Sequence, residues 1–378
     1  MVQSGRQDNP LRILHTESSL ELGGQEFRVL HEVCGMVKRG HYVVLAVPPH
    51  SRLALSAKER GVSIEEVPMN RVRWIWLILV FLKIIVKHNI QVVNTHGSID
   101  SWTASIAGRL SRKCPLIIRT RHKSTKISQT WRHRLLYQCL PHAVLTTGEA
   151  VRNIVMTQAG TPPSRVISIP TGVDLETFSP QAQKHRMNSG EISKHQDVVV
   201  GTVAFFRTYK GLTYFLDAAK LVVEQFPNVG FLIVGDGPDY ASIVQKREAL
   251  GLHDAVQFTG FCDDVAQALS GMDIFVLASI GAEGVPQSVS QAMAMERPVI
   301  ATNVGSISEI VKHEETGLLV EPLDAKALAH EICRLITNPN FREVLGKSAR
   351  KHVEESYDFV DMLTHTEAVY DEFLLAMN

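Results

Sequence analysis

The chain has 378 residues, 45% of them hydrophobic and 21% charged, with 39 basic and 39 acidic side chains. This excludes a disordered chain, suits a globular enzyme, and at roughly 100–200 residues per domain predicts two domains. The zero net charge is unevenly divided: residues 1–180 carry 23 Lys and Arg against 12 Asp and Glu, and the remainder 16 against 27, so the first half is expected to meet an anionic partner.

The opening MVQSGRQDNP is polar, so no signal peptide is expected. Short apolar runs then alternate with longer helical patterns. Strands are predicted at LRILHT (11–16), YVVLAV (42–47), QVVNTH (91–96), PLIIRT (115–120), AVLTT (143–147) and RVISIP (165–170). Among the helices between them, QEFRVLHEVCGMVKRG (25–40) ends in Lys-Arg-Gly, as a helix C-terminus should. The run WIWLILVFL (74–82) is far shorter than the ~20 residues of a membrane span. Arg71, Arg73, Lys83 and Lys87 flank it. It reads either as a buried helix packed on a sheet or as a helix lying aromatic side down on an anionic membrane surface.

After IPTGVD (169–174) the pattern breaks, and residues 176–196 read as a polar linker. Strands resume at VVVGTVAF (198–205), VGFLIVG (229–235), AVQFTG (255–260), MDIFVLA (272–278) and RPVIAT (297–302). The final stretch, 356–378, reads as a helix long enough to return to the first domain. Such alternation predicts an α/β fold of two Rossmann-like, doubly wound parallel-sheet domains, 1–175 and 197–355, facing across a cleft. Ligands are expected beyond the carboxyl ends of the strands. Cys34, Cys114, Cys139, Cys262 and Cys333 are scattered without a C-x-x-C pair, which speaks against zinc ribbons and disulfide frameworks and fits a reducing compartment.

Four loops carry chemistry. LGGQE (22–26), with Gly23 and Gly24, lets backbone approach a phosphate at a helix N-terminus, although no G-x-G-x-x-G is present. In IIRTRHKSTK (117–126), Arg119, Arg121, His122, Lys123 and Lys126 cluster at a strand end, and His96 in NTHGSID ends another. Arg207 and Lys210 in FFRTYKG (205–211) are two cations suited to a departing diphosphate. In SIGAEGVPQSVSQAMA (279–294), Glu283 precedes a helix with Gly284 at its entrance and Pro286 at its first position; Gln291 stands about 7.5 Å along the axis, similar to a diphosphate span.

The ordered set GGQE, IPTGVD, RTYKG, VGDGP (234–238), FTGF (258–261), EGVP…QAMA, PVIATNVGSISEIV and TGLLVEPLD covers almost the whole chain. It resembles the family-4 retaining glycosyltransferases of the GT-B fold. The resemblance implies sugar transfer from a nucleotide-diphosphate donor held mainly by the second domain to an acceptor held by the first. No metal or other cofactor is required, and no nucleic acid partner is expected. It implies that Glu283 contacts the transferred sugar and that Gly284, Val285 and Pro286 receive sugar hydroxyls and phosphate. Gln291 stands where the family has a second, ribose-binding glutamate. Lys210 falls on the family's diphosphate lysine. Arg207 stands two residues after the family's arginine, whose place Phe205 occupies. Gly24 matches the first-domain glycine near the diphosphate, Phe261 the lining of the nucleobase, and His122 the histidine near acceptor and sugar; His96, Arg121 and Lys126 are the further acceptor-side candidates. Phosphate-assisted, same-face transfer is the expected mechanism.

The basic first half predicts a saccharide or lipid-linked acceptor in bacterial envelope synthesis, and a cytoplasmic location, peripheral on the inner face of the membrane. A sugar-nucleotide 2-epimerase of the same fold and a non-catalytic sugar-nucleotide-binding protein stay open as alternatives, while the missing fingerprint disfavours a nicotinamide dehydrogenase.

Overall fold

The computed structural model describes residues 10–181, 197–281 and 283–377. The leading nonapeptide, Ala282 and most of the predicted linker lie outside them. The chain forms two units, Met1–Pro170 with Met362–Asn378, and Thr171–Asp361.

In the first unit the β-branched runs become β1 (Arg12–Thr16), β2 (Tyr42–Val47), β3 (Ser63–Glu66), β4 (Val92–Thr95), β5 (Leu116–Arg121), β6 (Ala143–Thr146) and β7 (Val166–Ser168). They pair in parallel, in the order β3-β2-β1-β4-β5-β6-β7. The connections carry α1 (Gly24–Lys38), α2 (Arg52–Glu59), α3 (Trp74–Lys87), α4 (Ile99–Leu110), α5 (Trp131–Arg134) and α6 (Glu149–Ala159). The second unit has β8 (Val198–Val203), β9 (Val229–Val234), β10 (Val256–Gly260), β11 (Ile274–Leu277), β12 (Val299–Thr302) and β13 (Leu318–Val320). Their order is β10-β9-β8-β11-β12-β13, again parallel. Its helices are α7 (Leu212–Gln225), α8 (Tyr240–Ala249), α9 (Val265–Ser270), α10 (Gln287–Ala294), α11 (Ile307–Ile310), α12 (Ala325–Thr337) and α13 (Pro339–Ser356). The last helix, α14 (Phe359–Met377), contributes its residues from 362 onward to the first unit.

The central strands are buried on both faces, which is why they read as unbroken apolar runs. Two strands escape prediction for opposite reasons. β3, SIEE, is an edge strand with one apolar residue, and β13 is only three residues long. Val173 and Phe178, around an Asp174-capped turn, belong to the core of the second unit.

In both sheets the strand order reverses at one point, between β1 and β4 and between β8 and β11. Loops leaving those four strands define a crevice in each unit, where a doubly wound fold binds its ligands. Tyr370 of α14 accepts a hydrogen bond from Asn94 Nδ2 (2.9 Å), and Glu367 accepts from Arg39 (2.6 Å) and pairs with His41 (2.9 Å). These contacts tie the last helix to α1, β4 and the turn before β2.

The helix α3 turns out to be neither wholly buried nor wholly exposed. Leu77, Phe81, Ile84 and Ile85 enter the core, while Ile75 (77% exposed), Trp76, Leu79 and Val86 face solvent. Val72, in the preceding 3-10 turn, is 88% exposed. Among the described residues, no helix is long and apolar enough to cross a membrane.

Candidate active site

In the second unit, β8 delivers Phe205, Phe206 and Arg207 into one turn of 3-10 helix, Thr208–Lys210. Phe206 anchors this loop; it is fully buried and stacks on Tyr240 with ring centroids 5.8 Å apart. Gly211 then turns the chain into α7 with φ +65°. A Cβ there would lie 1.8 Å from the carbonyl oxygen of Ala278. Only glycine brings the lysine loop this close to the end of β11.

That approach sets the central contact. Lys210 Nζ donates to Glu283 Oε1 at 2.6 Å, and Ser279 Oγ donates to the same oxygen at 2.6 Å. Both charged side chains are largely buried. Burial opposes the lysine's charge, but Glu283 and Tyr209 outweigh it and hold its pKa above the usual value. Lys210 is therefore a cation at neutral pH, fixed in place rather than waving on a flexible stem. Glu283 Oε2 keeps its lone pairs for another donor; no partner meets it among the described residues.

The helix that follows begins one residue later than expected. Pro286 is the N-cap of α10, with extended ψ of 130°, not its first residue; the fixed proline φ suits either place. The backbone N–H groups of Gly284, Val285, Gln287 and Ser288 meet no acceptor among the described residues. Gly284 and Val285 are buried nonetheless. Unpaired donors at a helix entrance favour an anion. Gln291 sits half-buried on the second turn of α10. Arg207 is exposed, with its guanidinium 5.4 Å from the centroid of the Phe205 ring. Phe261, just past β10, is 39% exposed.

In the first unit the loop after β1 folds on acidic side chains that sequence reasoning missed. Glu17 Oε1 accepts from the N–H groups of Ser18 (2.8 Å) and Ser19 (3.0 Å), and Oε2 accepts from Gln25 Nε2 at 2.6 Å. Asp100 Oδ2 accepts from Thr16 Oγ1 (2.8 Å) and from the N–H groups of His96 (3.2 Å) and Gly97 (3.0 Å). Burial, then the carboxylates of Asp100 and Glu26, push the Glu17 pKa up to about 8. Burial likewise raises that of Asp100, against the hydrogen bonds from Thr16 and Gly97 that favour its charged form. The signal for Glu17 was available: it directly follows the carboxyl end of a central strand. For Asp100 it was the Gly97 turn, where a Cβ would lie 2.3 Å from Ser18 Oγ and 2.4 Å from Asp100 Oδ1.

The two glycines behave differently. The N–H of Gly23 is taken by Glu26 Oε2 at 2.9 Å, whereas a Cβ on Gly24 would meet nothing within 4 Å. His96 and His122 are joined, with Nδ1 of His96 3.0 Å from Nε2 of His122. Burial, together with His122, His15 and nearby Arg28 and Arg119, drives the His96 pKa well down. Burial, Arg28, Lys123 and Arg119 do the same for His122, so both rings are neutral at pH 7. Arg121 donates to the Tyr137 hydroxyl at 2.5 Å and to the Thr125 carbonyl. Arg119 lies over the same Tyr137 ring at 4.5 Å. Lys126 is exposed.

Two family models match this chain: Glycosyltransferase Family 4 over residues 22–177, and Glycosyl transferases group 1 over residues 197–338. The chain is a family-4, GT-B glycosyltransferase. It is 25% identical over 306 residues to the Escherichia coli UDP-Gal:alpha-D-GlcNAc-diphosphoundecaprenol alpha-1,3-galactosyltransferase, covering 78% of each protein. It is 27% identical over 245 residues to the Staphylococcus aureus capsular polysaccharide biosynthesis glycosyltransferase CapM, covering 63% of this chain and 60% of CapM. Matches to other curated relatives span about half of their length. The structure of Anabaena Alr3699/HepE in complex with UDP-glucose superposes with a TM-score of 0.85 at 20% identity, over 96% of this glycosyltransferase and 100% of HepE. Its relatives thus include enzymes of bacterial cell-envelope glycan synthesis.

Proposed function

We propose that this glycosyltransferase moves a hexosyl unit, with retention and without a metal, from a uridine-diphosphate sugar to a saccharide carried on a lipid diphosphate. The observation that carries this reading is the Lys210–Glu283–Ser279 cluster beside the unpaired N–H groups of Gly284, Val285, Gln287 and Ser288. The donor's diphosphate gains charge as its bond to the anomeric carbon breaks. Lys210, Arg207 and those N–H groups would neutralise that charge. Glu283 Oε2 would receive a sugar hydroxyl. Its other oxygen already accepts from Lys210 and Ser279, which argues against Glu283 as nucleophile and for same-face attack, the acceptor's proton passing to the departing diphosphate. The uridine donor and lipid-linked acceptor are supported by the names of the HepE complex and the E. coli relative.

Thermal-shift measurements against UDP-, GDP- and ADP-sugars test the donor class. A UDP-hexose at 100 times its Kd should stabilise the protein by about 2.7 kcal/mol. NMR of the product with a diphosphate-lipid saccharide then reads the anomeric configuration, which should match the donor's and be insensitive to EDTA. Failure of every nucleotide sugar to stabilise the fold would defeat the reading.

We also propose that α3 lies on an anionic lipid surface. Its solvent face carries Ile75, Trp76, Leu79 and Val86, with Arg73, Lys83 and Lys87 beside it, so apolar insertion and charge attraction act together. Flotation should recover the protein with phosphatidylglycerol liposomes, and Ile75→Glu/Leu79→Glu should abolish recovery. Equal recovery with neutral phosphatidylcholine would remove the electrostatic half of the argument.

A further inference from the structure

Three histidines from three neighbouring strand ends form one hydrogen-bonded row. His15 lies on β1, His96 just past β4 and His122 just past β5. Nδ1 of His15 is 2.9 Å from Nε2 of His96, and Nδ1 of His96 is 3.0 Å from Nε2 of His122. The first two rings are nearly parallel, 10° apart. His122 Nδ1 is the free end of the row, without a partner among the described residues. At the other end, His15 Nε2 is buried and has no hydrogen-bond partner.

A neutral imidazole carries one proton, so a row of neutral rings must point all its donors the same way. Two arrangements exist. In the first, every ring is protonated on Nδ1: His15 donates to His96, His96 donates to His122, and His122 offers an N–H at the free end. In the second, every ring is protonated on Nε2, His122 offers a lone pair, and His15 is left with a buried N–H that has no acceptor. A buried, unpaired N–H is the costlier defect. The charged neighbours do not reverse this. Glu32 would favour a proton on His15, but it is paired with Arg28 at 3.3 Å, and Arg28 opposes one. Arg28 and Arg119 act against extra protons on His96 and His122.

We infer that His15 and His96 are positioning residues that lock His122 in its Nδ1–H form, so that His122 meets an acceptor substrate as a hydrogen-bond donor to a phosphoryl or hydroxyl oxygen and not as a base. This rests on the proposed function only in placing the acceptor's oxygen at His122; the protonation pattern stands without it. It also agrees with same-face transfer, in which the departing diphosphate takes the acceptor's proton and no base from the first unit is required.

Long-range 1H–15N correlation spectra of histidine-labelled, ligand-free protein read each nitrogen directly, with assignments from single histidine substitutions. In the wild-type chain, Nδ1 of His15, His96 and His122 should each show a protonated, pyrrole-type shift and each Nε2 a pyridine-type shift. His15→Leu removes the first donor, so His122 should become a mixture of tautomers and kcat should fall about tenfold, the size of one lost hydrogen bond. His15→Asn retains an N–H near the Nδ1 position and should restore both. A pyridine-type Nδ1 on His122 in the wild-type chain overturns the inference, as does a His122 spectrum unmoved by His15→Leu. If His15→Leu does not fold, the wild-type spectrum alone decides. A chain with the expected spectrum but no transferase activity would instead defeat the proposed function.

Discussion

Replacing Lys210 with alanine is expected to lower kcat by about 10²–10³-fold, the loss found when one preorganised charge-stabilising donor is removed. The lysine's position explains the size. Its Nζ is held 2.6 Å from Glu283 Oε1 beside the unpaired donors at the start of α10. No reorganisation is then needed when diphosphate charge develops. The same substitution strands the Glu283 carboxylate in a largely buried site and should cost about 3–5 kcal/mol of stability. The double variant Lys210→Ala/Glu283→Gln separates the two effects. It should regain most of the stability in urea titrations while turnover stays low. Turnover within about threefold of wild type, roughly 0.7 kcal/mol of barrier, would mean that this cation does not assist departure of the diphosphate.

Gly211→Ala should destabilise the second unit by about 3 kcal/mol. Roughly 1–2 kcal/mol of that is the left-handed backbone that alanine disfavours. The remainder comes from the Cβ, which would stand 1.8 Å from the Ala278 carbonyl oxygen and must push β11 and the lysine loop apart. Because Lys210 and Ser279 adjoin those two points, kcat should fall with stability. Gly24→Ala is the informative contrast. A Cβ there meets nothing within 4 Å and the residue is the first of α1, so the fold should be unaffected while transfer weakens if a diphosphate passes over Gly24. A Gly211→Ala chain as stable and active as wild type would show that the two loops are not held together as described.

Much of the candidate site was legible because its parts follow a local rule: each motif stands just beyond a strand. The loops at 22–26, 205–211 and 279–286 were found that way. The bond from Arg121 to Tyr137 was not legible because a cation's neighbours on the next element cannot be read from its own segment, and Tyr137 lies 16 residues away. His15 was overlooked because a histidine inside an apolar strand looks like any core residue. Its partner His96 is 81 residues distant, and only the adjacency of β1 and β4 brings them together. Phe205, at the family's arginine position, shows the converse. The sequence revealed the departure, and the fold places Arg207 against that ring.

By itself, the sequence determined where most strands and helices run and the order of the glycosyltransferase motifs, because β-branched runs, 3.6-residue periodicity and turn glycines act over a few neighbouring residues. Tertiary structure alone decided that Lys210 pairs with Glu283, that Glu17 and Asp100 are buried close enough for Asp100 to help raise the Glu17 pKa, and that three histidines stand in one row. Those contacts depend on which strands lie side by side and how closely their loops approach, and burial then strengthens charge and hydrogen-bond effects that a solvated segment would hardly show.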